Sequence, residues 1–490
     1  MNMFEWNRKW RPNNRKGDGI LRIKRTLKWV LLLAGISVVT GPKVYADTSQ
    51  LVISNVHIWD GKADSLSELT NVLVTDDLIE KIGVNDADIA MEVRRIDGGG
   101  RTLMPGLIDA HVHINFQFLD SDRGVVGANE MTWEEIGARA RDAIAEFLPS
   151  GFTTVRDLCG TGPALRKMID SGFIEGPRMY ISGACISQTS GHGDFRMDAE
   201  AVTPSHRQSH LEKLGVTILA DGADEVLKAA RNNLARGADF SKMMAGGGVT
   251  SNRDPISSLQ GTKEELNALV TAMKHFGTYG AAHAYLDESV QRAVNAGFMS
   301  IEHGNLMTDP DTFKLVAKKG AWIVPAMGGF AKELMDHPYY GNPANPAYAK
   351  AKRVNDNGAK WIELANKYKV NMGFGTDIVV VSMASSRNLR DFQITQWGES
   401  FGNLRTLKAM TSENGKLMAL AGEKNNYPKK LGVVEAGAYA DLILVDGNPL
   451  EDLSLIGAIP SMFKTIPRKT ASVPTIRLVV KNGAVVKNTL

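Results

Sequence analysis

The sequence predicts an α/β protein: a (β/α)8 TIM barrel with a small β-sandwich domain that both ends of the chain build together. Three observations predict it. Eight short apolar runs alternate with helix-like patterns through the middle of the chain. Strand-like material lies near both termini. Forty-eight glycines in 490 residues supply the tight turns that repeated strand–helix units need.

Composition agrees with a folded, largely buried core: 43% of the residues are hydrophobic and 23% are charged. The formal net charge of +3 misleads, because residues 1–46 hold ten Lys and Arg against Glu5 and Asp18. The remainder is net negative, so nothing in the main body asks for nucleic acid.

Taken in order, residues 1–46 read as a signal peptide. A basic stretch precedes the apolar run Trp29–Val39, and Gly41–Ala46 ends on a small residue suited to cleavage. The run is too short to cross a bilayer, which needs roughly 20 apolar residues. Export to a periplasm or the medium is expected, with cleavage after Ala46 and no membrane span in the mature protein. Residues 47–105 form the N-terminal part of the sandwich, with Gln50–Trp59 alternating as a strand and Val72–Thr75 and Leu78–Gly83 following. Residues 421–490 complete it through Ala440–Val445 and Ile476–Gly483, with 455–475 as an irregular surface excursion.

Residues 106–420 form the barrel. Its strands are Leu107–Ile114, Thr153–Asp157, Met179–Ile186, Phe240–Met244, Gly280–Ala284, Ser300–His303, Trp322–Ala326 and Asn371–Gly375. Two helices open on capping boxes. Thr132 and Glu135 precede Ile136, Ala140, Ile144 and Phe147, and Thr262 and Glu265 precede Leu266, Leu269, Val270 and Met273. Cys159 and Cys185 are too few for a disulfide framework or a Cys-rich zinc site. They read as two buried small hydrophobes, with a single disulfide left open for an oxidising compartment.

The chemistry sits at the ends of these runs. Residues two apart on a strand face the same side, so His111 and His113 can converge on one metal from inside the barrel. Alone, a His-x-His is a weak signal. His283, His303 and Asp377 each end a further run, and Lys242 does so mid-chain. Barrel active sites lie at that end of the strands, which makes the six together a candidate site.

On these residues, and on the closing stretch Leu431–Val445, the sequence resembles the amidohydrolase superfamily over nearly its whole length after Ala46. The resemblance implies two divalent metal ions, usually zinc. His111, His113 and Asp377 would hold one, His283 and His303 the other, and a carboxylated Lys242 would bridge them. It also implies hydrolysis by a hydroxide bridging the metals, with Asp377 passing the proton to the leaving amine.

The stretches Ile186–Asp194, Lys242–Ser251 and His283–Tyr285 are similar to the prolidase-like, Xaa-amino-acid carboxypeptidase and ochratoxin amidase branch. That branch implies a dipeptidase or carboxypeptidase acting on dipeptides or N-acyl amino acids, with ochratoxin-like aromatic amides a narrower case. By the same resemblance His192 contacts the carboxylate or the scissile group, and Tyr285 hydrogen-bonds the developing oxyanion. The competing readings are a solvent-exposed turn residue for His192 and a packing aromatic for Tyr285. His206 and His210, four apart, fit a solvated helix; His57, His275 and His337 stand outside the chemistry. Arg196, Arg253 and Met327 are pocket candidates among which the sequence does not choose. The alternatives are a cyclic-amide hydrolase, imidazolonepropionase-like or dihydroorotase-like, and a catalytically silent metal-binding protein on the same fold. A homo-oligomer is expected by analogy alone.

Overall fold

β-Branched stretches near the N-terminus form β1 (Leu51–Ile58), β2 (Thr70–Thr75) and β3 (Leu78–Ile82), and the longer β4 (Arg94–Pro105) follows. Strands and helices then alternate through β5 (Leu107–Val112), β6 (Phe152–Asp157), β7 (Arg178–Ile181), β8 (Cys185–Ser187), β9 (Thr217–Leu219) and β10 (Ser241–Met244). They continue through β11 (Gly280–Leu286), β12 (Ser300–Leu306), β13 (Trp322–Val324) and β14 (Asn371–Met372). The chain ends in β15 (Leu442–Val445), β16 (Ile476–Lys481) and β17 (Ala484–Asn488). This computed structural model describes residues 50–490 apart from 86, 88, 118–123, 202–207 and 380–381. The signal-peptide reading of 1–46 and the reading of His206 lie outside the described residues.

Strands from both ends of the chain pair in one mixed seven-stranded sheet of order β17-β16-β15-β4-β1-β2-β3. The sheet has a core of its own, in which Ile53, Val72, Ile79, Leu103, Leu442 and Leu478 meet. β4 was not expected as a strand. Its register against β1 jumps from Ser54–Asp97 to Val56–Arg101, and Gly98–Gly100 take up the extra length. Gly99 and Gly100 do so at φ of 59° and 74°, where a side chain would be strained.

The central strands form two parallel sheets, β5-β6-β7 and β14-β13-β12-β11-β10-β8-β9. β5, β6, β7, β10 and β12 are buried at every position, which is why they read as unbroken runs rather than alternating ones. Backbone hydrogen bonds pass between the two sheets at both ends. Ala110 N donates to Phe374 O at 2.9 Å and Asp377 N to His111 O at 2.8 Å; on the other side Asp239 N donates to Ile181 O at 2.9 Å. The expected third strand, Met179–Ile186, breaks into β7 and β8. Asn233 fills the break: its amide accepts from Ala184 N at 3.2 Å and donates to Ala184 O at 2.7 Å.

The helix Lys263–His275 carries the full capping box on Thr262 and Glu265, and it buries Leu266, Leu269, Val270 and Met273. At Trp133–Ala145 only the Thr132 half forms, and Phe147 is buried just beyond the helix. Cys159 and Cys185 are buried, as read, and of the two states left open the structure shows the bonded one. The ends of β6 and β8 bring their Cα atoms within 4.8 Å, and they form a disulfide. Among the described residues no helix is long and apolar enough to cross a membrane.

Candidate metal centre and active-site cavity

The strand ends deliver their polar residues to one place. His111 Nε2, His113 Nε2 and Asp377 Oδ1 form a triangle with sides of 3.1, 3.2 and 3.1 Å. Ligands about 2.0–2.1 Å from a tetrahedral zinc would lie about 3.3 Å apart, so this donor set fits a divalent ion. His303 Nδ1 lies 3.7 Å from the other Asp377 oxygen and has no hydrogen-bond partner among the described residues. His111, His303 and Asp377 together form a cluster able to hold a metal. The His283 ring packs 4.5 Å from that of His303, and Lys242 Nζ stands 3.5 Å from His111 Nε2.

Backbone and burial prepare these groups. His303 and Asp377 sit at positive φ, 78° and 50°, a strain of about 1–3 kcal/mol each that functional sites tolerate. Gly375 lets β5 approach, since a side chain there would meet His111 Cβ at 2.6 Å. Burial pushes His111 and His283 well below the ordinary imidazole value, and His303 to about 4, keeping lone pairs free for a metal. Burial also lowers the Lys242 amine, which is 1% exposed. The Asp377 carboxyl is opposed by its own burial, yet His111, His303 and His113 hold it below its usual range.

Several supporting groups were not singled out from the sequence. Glu302 Oε2 lies 3.0 Å from His111 Nδ1, out of line for a hydrogen bond but close enough to orient the ring. Glu302 is itself gripped by Arg156 through two bonds of 2.8 and 2.9 Å. Asp109 accepts from Thr376 Oγ1 at 2.7 Å and from His111 N at 3.1 Å, tying β5 to the Asp377 turn. Asp157 accepts from Ile114 N at 2.8 Å just past His113. A signal was there to be read: each is an acid within or ending a buried apolar run.

His192 is buried and lines the same cavity. Gly248 makes room for it, since a Cβ there would meet the ring at 2.0 Å. Asp254 accepts from Gly248 N at 3.0 Å, from the Gln260 amide at 3.1 Å and from the Ser251 hydroxyl. With its proton given to Asp254, Ser251 Oγ accepts from His192 Nδ1–H at 2.8 Å, leaving Nε2 as the free lone pair. Lys350 fastens this loop by donating to three carbonyls, Gly248 O at 3.0 Å and Ser251 O and Asp254 O at 2.7 Å. Tyr285 stacks on His303 at 4.8 Å, and burial keeps its phenol protonated, well above the ordinary value.

The cavity encloses about 390 Å³, a size that suits a small ligand. His113, His192, Lys242, His283, Tyr285, His303 and Asp377 all line it. His337, set aside on sequence, lines it too, because the turn after Ala331 brings it over the mouth. Arg196, Arg253 and Met327 do not: Arg196 turns to Asp194 at 2.6 Å, and Arg253 to Asp198 at 3.0 Å and the Arg196 carbonyl. His210 bonds to Met131 O at 2.7 Å and His57 to Ser67 O at 2.8 Å, away from this site.

A family model described as the amidohydrolase family matches residues 102–486. Ochratoxinase of Aspergillus niger is 28% identical over 428 residues, covering 84% of this chain and 85% of that protein. Among solved structures, a prolidase complexed with N-methylphosphonate-L-proline superposes with a TM-score of 0.76 at 30% identity, covering 90% of this chain and 100% of its own. A Xaa-Pro dipeptidase with methionine bound in its active site gives 0.75 at 28% identity over the same shares.

Proposed function

The chain belongs to the amidohydrolase family, and from this premise we propose that it cleaves the amide bond of dipeptides or N-acyl amino acids. That it is a metal-dependent hydrolase acting on C–N bonds stands on the family and on the ochratoxinase and dipeptidase relatives. The observation that carries the finer reading is the convergence of His113, Lys242, His283, His303 and Asp377 on one cavity, with His111 packed against His113 and Asp377 behind them. The prolidase and dipeptidase likenesses favour a peptide-like substrate over a cyclic amide.

His111, His113 and Asp377 would hold one divalent ion and His283 and His303 a second, with zinc suited to the imidazole-rich set. When bound, the ions supply a nucleophile at neutral pH and polarise the substrate carbonyl. Lys242, carboxylated by carbon dioxide, would lie between them; the lowered amine supports this, since the neutral form is the one that adds the gas. Asp377 takes up the proton and returns it to the leaving amine. Tyr285 would offer its neutral phenol as a donor to the oxyanion, and His192 would contact the substrate carboxylate or the scissile group.

The family supports a closed (β/α)8 barrel over 106–420, with a sandwich from 47–105 and 421–490. The basic and apolar pattern of 1–46 supports export, and the Cys159–Cys185 pair suits an oxidising compartment. Homo-oligomer formation belongs to the same reading.

The test compares hydrolysis of dipeptides and N-acyl amino acids by the zinc-loaded protein with that of their C-terminal amides. Cleavage of the free acids alone is the expected result. Equal cleavage of both would overturn recognition of the carboxylate, and opening of a cyclic amide alone would replace the substrate class.

A further inference from the structure

We infer that the outer chamber of the cavity takes a large, uncharged apolar group adjoining the scissile amide, and that residues 459–469 set the chamber's size. The inference rests on the amidohydrolase reading for the position of that amide. The metal-ligand candidates occupy the inner end of the cavity. Beyond them the lining is largely apolar, with Phe116, Phe195, Leu334, Leu389, Met462 and Phe463, and its polar members, Ser382, Ser385, Gln393 and Tyr340 among them, are uncharged. Among the described lining residues, Lys242 and Asp377 are the sole Lys, Arg, Asp or Glu, and both belong to the inner cluster. Arg196 and Arg253, the nearby cations of the loops, are committed to Asp194, Asp198 and a carbonyl.

Met462 and Phe463 come from the C-terminal part of the chain, far in sequence from the barrel strands. Their segment is held as a fixed wall. Ser461 Oγ and Met462 N donate to Glu333 at 3.0 and 2.9 Å. Asn388 donates to Met462 O at 3.1 Å and to Thr465 O at 2.8 Å, and Arg387 donates to Arg468 O at 2.9 Å. Phe463 stays 43% exposed at the rim, its ring 6.0 Å from that of His337.

A charged group in this chamber would shed its water and meet no opposite charge among the described lining residues outside the inner cluster. An apolar one gains about fourfold in binding for each methylene it buries. The chamber therefore selects for size and against charge.

The experiment measures kcat/KM on two series, acyl-glycines from acetyl to octanoyl with glutaryl as the charged member, and acetyl amino acids from Ala to Phe with Glu. On one side of the bond the value should rise at least tenfold with apolar size, mainly through KM, and the charged member should fall tenfold below its apolar equal. Phe463→Ser and Met462→Ala should each lower kcat/KM for the favoured large member at least five times more than for the smallest. A flat profile on both sides, or variants that lower every member equally, would overturn the inference. If no compound is cleaved, the amidohydrolase reading is what falls. Calorimetric dissociation constants for the same compounds then decide the chamber, which stands if they keep the same order and falls if they do not.

Discussion

Asp377 is the residue on which ligand geometry and proton transfer meet. Its two oxygens face different imidazoles, 3.1–3.2 Å from His111 and His113 and 3.7 Å from His303. Asp377→Asn keeps one oxygen for coordination but no proton acceptor. It should retain metal by elemental analysis while kcat drops on the order of a thousandfold. Glu302→Gln tests the layer beneath. It removes the charge beside His111 Nδ1 and leaves Arg156 buried with a weaker partner, so activity or metal affinity should fall about 10–100-fold. Titration of the purified variant with zinc would read it. The sequence showed His111, His113, Lys242, His283, His303 and Asp377 because each is a polar residue ending an apolar run. Ser251 and Lys350 were hidden because their work lies in partners far along the chain, His192 for Ser251 and the Ser251 carbonyl for Lys350.

At the scale of elements, the barrel runs were legible because strands buried on both faces leave a continuous apolar signature. β4 was hidden by its own construction, for three consecutive glycines are a turn signal, and here they serve a bulge inside a strand. The third barrel strand misled in the opposite way: Met179–Ile186 is largely apolar, yet it is interrupted between Ile181 and Cys185, where Ala184 bonds to Asn233. The disulfide sits next to this break and joins the end of β6 to the start of β8 across 26 residues. Closing a loop of that length contributes about 3 kcal/mol. Cys159→Ser with Cys185→Ser should therefore lower the thermal midpoint by a few degrees. The wild type should show the same drop in calorimetry after reduction.

At the scale of the whole molecule, the excursion at 455–475 was expected to be mere surface, but it ties the C-terminal part to the barrel mouth through Glu333, Asn388 and Arg387. No periodicity announces this, because the bonds run from side chains to an irregular backbone. A charge couples the terminal sheet to the barrel as well. Lys487 donates to Pro149 O at 3.5 Å and to Val473 O at 2.9 Å, and burial, with Arg468 and Arg477 nearby, lowers its amine from 10.5 to about 8. Between those values the unfolded chain holds the extra proton, so stability should rise as pH climbs from 8 towards 10.5. Lys487→Met should lose that rise, which thermal midpoints measured across the window would show. The terminal sheet also sets an order of events in synthesis. β4 pairs with β15, so the first strands made wait for nearly the last, with the whole barrel emerging between them. Until residues 442–445 arrive, one edge of β4 stays open, the kind of edge on which nascent chains join one another. A chain that stalls just short of that point would carry all the central strands, a cavity still missing Met462 and Phe463, and an unguarded strand, and aggregation of such fragments is the cost of closing the molecule last.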